Sequence, residues 1–331
     1  MPHALLSRRA FLAGGAAAVV AAAPPARRKA QVAVTLDLEM SRNFPTWDQT
    51  EWDYEKGNLD EPTKKYAVEA ARRVEKHGGR VHFFVVGRVF EQKSVDWLRQ
   101  IAQAGHPIGN HTYDHVNVRA KKPSELQFRF NRSPWLIEGK KPLEVIRENV
   151  RLTTTALKTR VGVDAAGFRT PGGFHDGLTD QADVQALLRE MDFEWVSSKY
   201  PAHEMSPAGK KPTKAVLDSI VRAQGQAQPF VYPRGLIEVP MSPPSDIVAF
   251  RTGRWKLEWF VEAVGLALDH VIATGGVFDF LAHPSCLGVV DPKFETIEMI
   301  CAKVKKAGDR AEVADLDAIA RRVKRADAKE R

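Results

Sequence analysis

Four groups of polar residues stand at the ends of strands that the sequence predicts. The first group is Asp37 and Glu39, at the end of the β-rich run 31–38. Residues two apart in an extended strand face the same side, so the two carboxylates can converge if the extended conformation continues. Two buried carboxylates on one side are costly unless a cation or a proton lies between them. The pair therefore indicates a cation site or, as the alternative, two strand-end acids bonded to loop amides.

The second group is a pair of histidines that follows a short apolar strand. His111 and His115 lie in the run GNHTYDH at positions 109–115. Histidines four positions apart can bind one metal ion when the turn between them is helical, but such a pair also arises by chance. Beside a strand-end carboxylate, the pair predicts a site of two histidines and one carboxylate, which suits zinc, cobalt, nickel or iron.

The other two groups are single residues placed directly after strands. Arg169 opens the run RTPGG, where its planar guanidinium can hold a carboxylate in one orientation. The alternative is a surface arginine in a Pro/Gly turn. His283 ends the last long strand, where a lone histidine is more often structural. The presence of all four groups in one chain favours catalytic chemistry.

The elements that must position these residues alternate between strands and helices. Repeated βα units imply a parallel sheet, and this many in one chain favour a barrel over an open sheet. The stretches 121–141 and 200–232 are rich in Pro, Lys and Gly, and we interpret them as two insertions over one face of a single domain. The predicted strands are 31–38, 81–86, 107–109, 165–168, 194–197, 237–239 and 277–281. The predicted helices are 62–77, 94–104, 142–159, 179–191 and 255–273.

The composition is that of a globular protein. The chain has 331 residues, of which 44% are hydrophobic and 27% charged, which excludes disordered and collagenous chains. Two cysteines are too few for a disulfide framework or a metal site made of cysteines alone. The net charge of +8 is compatible with nucleic-acid binding, but the excess is scattered and lacks a nucleic-acid-binding motif, so we expect no nucleic-acid partner.

The N-terminal residues resemble a twin-arginine export signal. The run SRRAFL at 7–12 precedes a weakly hydrophobic stretch and then small residues at 21–23. The apolar run 10–23 is too short to span a bilayer comfortably, so we expect no membrane span in the mature chain. The alternative is a basic turn before an alanine-rich helix. The sequence thus predicts a signal at 1–26, a mature chain of 27–331, and export to the periplasm or cell exterior.

A family resemblance emerges from the motifs taken together. In order, they are TLDLE at 35–39, HFFVVG at 82–87, GHPIGNHTYDH at 105–115, RTPGG at 169–173 and LAH at 281–283. In these motifs the chain resembles the NodB-homology polysaccharide deacetylases, carbohydrate esterase family 4, and the related metal-dependent C–N hydrolases that share their fold. The resemblance runs from residue 32 to residue 285. It implies an α/β fold, a distorted (β/α) barrel of the NodB type, followed by C-terminal helices.

The resemblance also implies a role for each residue of the predicted metal site. His111 and His115 would bind a divalent metal ion together with a carboxylate. Leu38 stands where the common motif has its metal-binding aspartate, so the carboxylate would be Glu39, one position later and one methylene longer. Zinc is the first choice of metal. Asp37 would be the general base that activates water.

The remaining roles concern the base, the leaving group and the acyl group. By the resemblance, Arg169 would orient Asp37 and stabilise its charge, and His283 would protonate the departing amine. Leu281 would line a small pocket for the acyl methyl group. A backbone N–H near Gly172 would bind the oxyanion, and Pro171 would contact substrate.

Three further points remain open in the sequence. The family has an acid that tunes the catalytic histidine, and Glu194, Asp192 and Asp279 are the candidates. The aromatic residues Trp135 and Phe230 in the insertions either pack under long loops, which we favour, or bind sugar rings. Cys286 stands three residues after His283, and we interpret it as a bystander rather than a nucleophile. A disulfide with Cys301 in an oxidising compartment is an alternative that we do not favour.

These observations together predict an exported, metal-dependent hydrolase that removes acetyl groups from an N-acetylated polysaccharide or glycan. It would act on carbon–nitrogen bonds other than peptide bonds. One alternative is the hydrolysis of a small cyclic or linear amide on the same fold. A second is a NodB-like module that binds carbohydrate without catalysis.

Overall fold

The strands form one nine-stranded sheet. The computed structural model describes residues 28–40 and 56–330, so the predicted export signal lies outside the described residues. The strands are β1 (Ala30–Leu38), β2 (Val81–Val85), β3 (Ile108–Asn110), β4 (Phe168–Phe174), β5 (Trp195–Lys199), β6 (Phe230–Val231), β7 (Ile237–Glu238), β8 (Val277–Ala282) and β9 (Ala311–Val313).

Helices connect most of these strands. They are α1 (Glu61–Lys76), α2 (Asp96–Gln103), α3 (Phe128–Arg132), α4 (Pro142–Val161), α5 (Ala182–Glu190), α6 (Lys214–Ala223), α7 (Leu257–Thr274), α8 (Pro284–Val290), α9 (Glu295–Ala307) and α10 (Leu316–Glu330). A π-helical turn at Ile247–Thr252 precedes α7. In the part of the chain that the structure describes, no helix is long and apolar enough to cross a membrane.

The sheet curls into a nearly closed barrel. Its strand order is β6-β7-β5-β4-β3-β2-β1-β8, and β9 pairs with the start of β1. The pairs are parallel except for the antiparallel pair of β6 and β7. Beyond β7, a single parallel bridge joins Ser242 to Phe280 of β8 and brings the two ends of the sheet together. The predicted distorted (β/α) barrel is confirmed.

Strand β1 is fully buried and pairs with three other strands, β2, β8 and β9. All nine of its residues are buried, as expected for a β-rich run covered on both faces. It pairs in parallel with β2 and β8, so its carboxyl end meets theirs at one edge of the sheet. Ligand sites of parallel α/β folds lie at this edge. The chemistry-bearing residues after β1 and β8 are therefore brought together by the topology.

Strand β4 departs from the predicted boundaries. The sequence predicts a strand that ends at Phe168, whereas β4 begins there and continues to Phe174. Its pairing with β5 is interrupted, because Arg169 pairs with Ser197 and the next pair is Phe174 with Lys199. Such an irregularity re-aims side chains near functional sites. Here it allows Arg169 to lie inside the barrel while the following Pro/Gly run reaches its rim.

The two predicted insertions differ in character. The segment 121–141 contains only short helical turns and α3. The segment 200–232 contains the ten-residue helix α6 and strand β6, neither of which the sequence analysis predicted. Helix α6 buries Val216 and Ile220, which are four positions apart on one helical face, and it packs against α7.

The two aromatic residues of the insertions have opposite surroundings. Trp135 is 67% exposed, so the interpretation that it packs under a loop was wrong. Phe230 is partly buried, and its ring centroid lies 4.9 Å from that of Tyr232, so the packing interpretation holds for this residue.

Candidate active site

A small cavity lies at the carboxyl ends of β1, β4 and β8. Its volume is about 260 Å³, and its wall includes Asp37, Glu39, His111, His115 and His283. Four of these five side chains are buried, and that of His115 is 19% exposed. The structure therefore brings together the acid pair, the histidine pair and the histidine after β8, which stand far apart in the sequence.

Three side chains of this cavity form a cluster suited to a metal ion. Glu39, His111 and His115 each offer one ligand atom, and these atoms lie within 4.8 Å of one another. Glu39 Oε2 is 2.7 Å from His115 Nε2 and 3.8 Å from His111 Nε2. Apart from its contact with the His115 ring nitrogen, this buried oxygen has no hydrogen-bond partner among the described residues. A buried carboxylate oxygen facing two imidazoles fits a divalent cation.

The loop that carries the two histidines has an irregular conformation. The prediction supposed a helical turn between His111 and His115, but the segment is not helical. Thr112 and His115 instead adopt positive φ angles of 56° and 58°. Such angles are costly for a β-branched residue and are retained where the surroundings enforce them. Asn110 contributes by accepting a hydrogen bond of 2.8 Å from the Thr112 backbone N–H.

The protonation states of the cluster suit metal binding. Burial lowers the pKa of His111 and lowers that of His115 to about 4, so both imidazoles are neutral at pH 7. Burial alone would raise the pKa of Glu39, but His115 and Lys56 hold it well below its usual range. Nδ1 of His111 donates to the Arg169 carbonyl oxygen, 2.9 Å away, which leaves the Nε2 lone pair facing the cavity.

Arg169 lies entirely inside the barrel and contacts two carboxylates. Its Nη1 donates to Asp37 Oδ1 at 3.0 Å, and its Nη2 donates to Asp279 Oδ2 at 2.5 Å. Nη1 also donates to Thr35 Oγ1 at 2.8 Å, and the guanidinium lies 4.3 Å from the Phe84 ring centroid. A surface arginine is thus excluded, and the geometry matches the predicted role of fixing Asp37. Asp279, one of the three candidates for the acid beside His283, therefore binds Arg169 instead.

The acid that contacts His283 is Asp246, which the sequence analysis missed. Its Oδ1 lies 2.9 Å from His283 Nδ1, and its Oδ2 accepts the His283 backbone N–H at 2.7 Å. The three candidates Glu194, Asp192 and Asp279 were therefore wrong. Burial alone would lower the pKa of His283, but Asp246 and the nearby carboxylates raise it to about 9. The imidazolium is thus available as a proton donor at neutral pH.

The Asp246–His283 pair leads to a prediction about pH dependence. In Asp246→Asn, we expect activity to fall about 10²-fold, because the neutral amide no longer favours the charged imidazole. The basic limb of the pH–rate profile should move to lower pH, since the pKa of His283 decreases. The profile of kcat/KM measured from pH 5 to pH 10 checks this. An unchanged basic limb would show that His283 does not act as an acid supported by Asp246.

The residues predicted to face substrate are only partly in the cavity wall. Leu281 and Gly172 line the cavity, and Gly172 has a φ of +78° that favours glycine. Pro171 is buried beside them but does not belong to the wall. Other wall residues were not anticipated in the sequence, among them Lys56, Tyr200 and Arg251.

Cys286 lies behind His283 and outside the cavity wall. Its thiol is buried, and burial raises its pKa well above the usual range. Cys286 and Cys301 are both free thiols, so no disulfide joins them. A neutral, buried thiol is a poor nucleophile because the thiolate is the reactive form.

We therefore expect Cys286→Ser to keep turnover within a few-fold of the wild-type value. Serine retains the small size and a hydrogen-bond donor beside Asp246, so the position of His283 should persist. Steady-state kinetics on the same substrate as the wild type check this. Near-complete loss of turnover with the fold intact would make Cys286 a participant.

Part of the chain matches a known protein family. Residues 54–191, which include both histidines of the cluster and Arg169, match the family model described as Polysaccharide deacetylase. Over these residues the chain is similar to the polysaccharide deacetylases. Members of this family are hydrolases of carbon–nitrogen bonds other than peptide bonds, and this is the enzyme class that the sequence predicts. No curated protein matches the chain.

Solved structures resemble this chain over about nine-tenths of its length. A "putative polysaccharide deacetylase" from Mycobacterium smegmatis is 20% identical, with a TM-score of 0.60 over 92% of this chain and 93% of that chain. A "probable polysaccharide deacetylase" from Pseudomonas aeruginosa PAO1 is 13% identical, with a TM-score of 0.59 over 88% and 90%. Puue allantoinase is 15% identical, with a TM-score of 0.59 over 90% and 91%. At these identities the similarity shows the shared fold.

Proposed function

We propose that this chain is a metal-dependent hydrolase that removes acetyl groups from an N-acetylated glycan. The observation that carries the proposal is the arrangement around Glu39. Its Oε2 faces His111 and His115, while Asp37 and His283 approach the cluster with shortest contacts of 3.7 Å and 3.6 Å. A candidate metal site is thus bordered by a candidate base and a candidate acid.

Glu39, His111 and His115 would hold the metal ion, with zinc as the first choice and cobalt, nickel or iron as the others. The ion, when bound, supplies Lewis acidity that activates water and polarises the substrate carbonyl. Two neutral imidazoles and one ionised carboxylate are the protonation states that such binding requires.

The chain's own residues handle the protons. Arg169 binds Oδ1 of Asp37, which leaves Oδ2 facing the cavity at 3.7 Å from His111 Nε2. Asp37 Oδ2 would accept the proton of the attacking water. His283 would give a proton from Nε2 to the departing amine, because an amine leaves a tetrahedral intermediate only when protonated. Asp246 holds the opposite ring nitrogen and so sets the direction in which Nε2 points.

The cavity wall suits a small acyl group. Leu281, Met241, Ile247 and Val248 supply apolar side chains to the wall. An acetyl methyl group is favourably buried against such a surface. The polar side of the same wall contains the proposed base, acid and metal ligands. An acetamide group would therefore place its methyl group against the apolar side chains and its carbonyl group toward the polar ones.

Hydrolysis of a small amide is the second candidate function. Puue allantoinase shares the fold at the same TM-score as one of the deacetylases. The positive charge of Arg251 in the wall would also favour a compact polar substrate over a long neutral glycan. Both candidates use the same hydrolytic centre and differ in what binds around it.

Metal analysis and substrate assays test these proposals together. The purified chain should contain one divalent ion per molecule, and Glu39→Ala should lose it, since the cluster then keeps only two ligands. Release of acetate from chitooligosaccharides or peptidoglycan supports the deacetylase, whereas exclusive hydrolysis of cyclic imides supports the second candidate. A metal-free chain that binds chitooligosaccharides without turnover would overturn both in favour of a binding module.

We further propose export through residues 1–26. The paired arginines at positions 8 and 9 carry this proposal, since such signals direct folded chains across the bacterial inner membrane. Replacement of both by lysine should retain the protein inside the cell. Cell fractionation checks this, and unchanged export would show that another route operates.

A further inference from the structure

Lys56 is a buried cation at the edge of the candidate metal cluster. Its side chain is 3% exposed, and its ammonium group donates to Glu39 Oε1 at 2.5 Å. The backbone of this segment is tied to β1, because Lys56 accepts a hydrogen bond of 2.8 Å from the Met40 N–H. The next residue, Gly57, packs so closely that a Cβ atom there would lie 2.2 Å from Arg88 Cβ. Lys56 is thus held at the cavity wall from both sides.

The two oxygens of Glu39 have different surroundings. Oε1 contacts the Lys56 ammonium at 2.5 Å and lies 3.6 Å from His283 Nε2. Oε2 faces His115 and His111 and, apart from its contact with the His115 ring nitrogen, has no hydrogen-bond partner among the described residues. Oε1 is thus bound by the Lys56 ammonium group, whereas Oε2 faces the two imidazoles.

We propose that Lys56 is a positioning residue that fixes Glu39 as a metal ligand through Oε2 alone. This inference rests on the proposed metal site. Glutamate has one more rotatable bond than aspartate, so its carboxylate needs an additional constraint to present one chosen oxygen. A charge-assisted hydrogen bond to Oε1 provides this constraint, and partners of this kind orient ligands at metal sites. Lys56 thereby makes a glutamate usable at position 39.

The opposite interpretation of the same contact is that Lys56 competes with the metal ion for Glu39. The two interpretations predict opposite effects when the ammonium is removed. If Lys56 orients Glu39, a neutral side chain should weaken metal binding, because the carboxylate becomes free to rotate. If Lys56 competes, a neutral side chain should strengthen it, because a repelling positive charge is lost.

Metal titrations of the full chain distinguish these outcomes. In Lys56→Met, which keeps the chain length without the charge, we expect zinc to bind about 10–100-fold more weakly. Lys56→Arg should restore most of the affinity, since arginine still donates to Oε1. The matched control is Lys324→Met, which removes an exposed lysine paired with Glu194 and should leave the affinity unchanged. Equal or tighter zinc binding in Lys56→Met would overturn the proposal.

Absorption spectra of the cobalt-substituted protein give a readout of the coordination itself. In Lys56→Met the visible bands should lose intensity, because a freed carboxylate can bind through both oxygens and raise the coordination number. Identical spectra in the wild type and Lys56→Met would also overturn the proposal. Lys56→Gln, which keeps a neutral donor, replaces the methionine variant if that variant does not fold, and should show an intermediate loss of affinity. A wild type that binds no metal would instead overturn the proposed function itself, and with it the role of Lys56.

Discussion

Asp37→Asn is expected to reduce hydrolysis by about 10²–10⁴-fold while the metal content stays at the wild-type level. The loss follows because an amide cannot accept the proton of the attacking water. The metal should remain because Glu39, His111 and His115 are untouched. The fold should also persist, since Arg169 keeps its second carboxylate partner, Asp279. Turnover, metal content per chain and thermal unfolding, measured on one preparation, check the three parts of this prediction.

The matched control is Asp176→Asn, which removes the same charge from a side chain that is 65% exposed. This variant should keep full activity. Retained activity in Asp37→Asn would exclude Asp37 as the base and leave the deacetylase mechanism without its proton acceptor. Loss of metal together with activity would show that Asp37 acts as a ligand instead.

The second large effect concerns the leaving group. His283→Ala should reduce cleavage of an N-acetyl amide by about 10²–10⁴-fold, because the amine then lacks its proton donor. Cleavage of an activated ester such as p-nitrophenyl acetate should be much less affected, since its leaving group departs without a proton. The ratio of the two rates in the variant and in the wild type is the measurement that isolates this role.

A surface histidine provides the control for that comparison. His175 is 57% exposed, and His175→Ala should change neither rate. An equal loss on amide and ester in His283→Ala would mean that this residue binds substrate or supports the cluster rather than donating a proton. Measurement of the metal content of the same sample separates these two explanations.

The sequence allowed the barrel and the central part of the site to be predicted because both depend on local patterns. The run 31–38 is rich in residues that favour strands, and β1 is buried along its whole length. Residues directly after such strands meet at one edge of a parallel sheet. The sequence alone therefore indicates that Asp37, Glu39 and His283 are neighbours.

Asp246 could not be predicted in the same way. It follows no long strand, and it stands 37 positions before His283. Its position depends on the bridge between Ser242 and β8 and on the π-helical turn that it begins. Both are tertiary features without a periodic signal. By contrast, helix α6 did have a signal, since Val216, Ile220 and Ala223 recur at helical spacing, but the surrounding Pro, Lys and Gly content concealed it.

Lys56 illustrates another limit of sequence reasoning. A lysine outside any predicted element ordinarily lies in solvent with its charge exposed. Only the packing of Gly57 against Arg88 and the contact with Glu39 show that this one is buried. A close glycine contact of this kind arises from tertiary packing and has no signature in a single sequence.

The segment from Ser242 to Asp246 has two functions, since it closes the barrel against β8 and delivers the partner of His283. In protein engineering, the number of residues in this segment should therefore not be changed. One inserted or deleted residue there would break the bridge between Ser242 and β8 and would also move Asp246 away from His283. The exposed Trp135, by contrast, neither closes the barrel nor contacts His283. Libraries that aim to change substrate range should therefore keep the length of 242–246 constant.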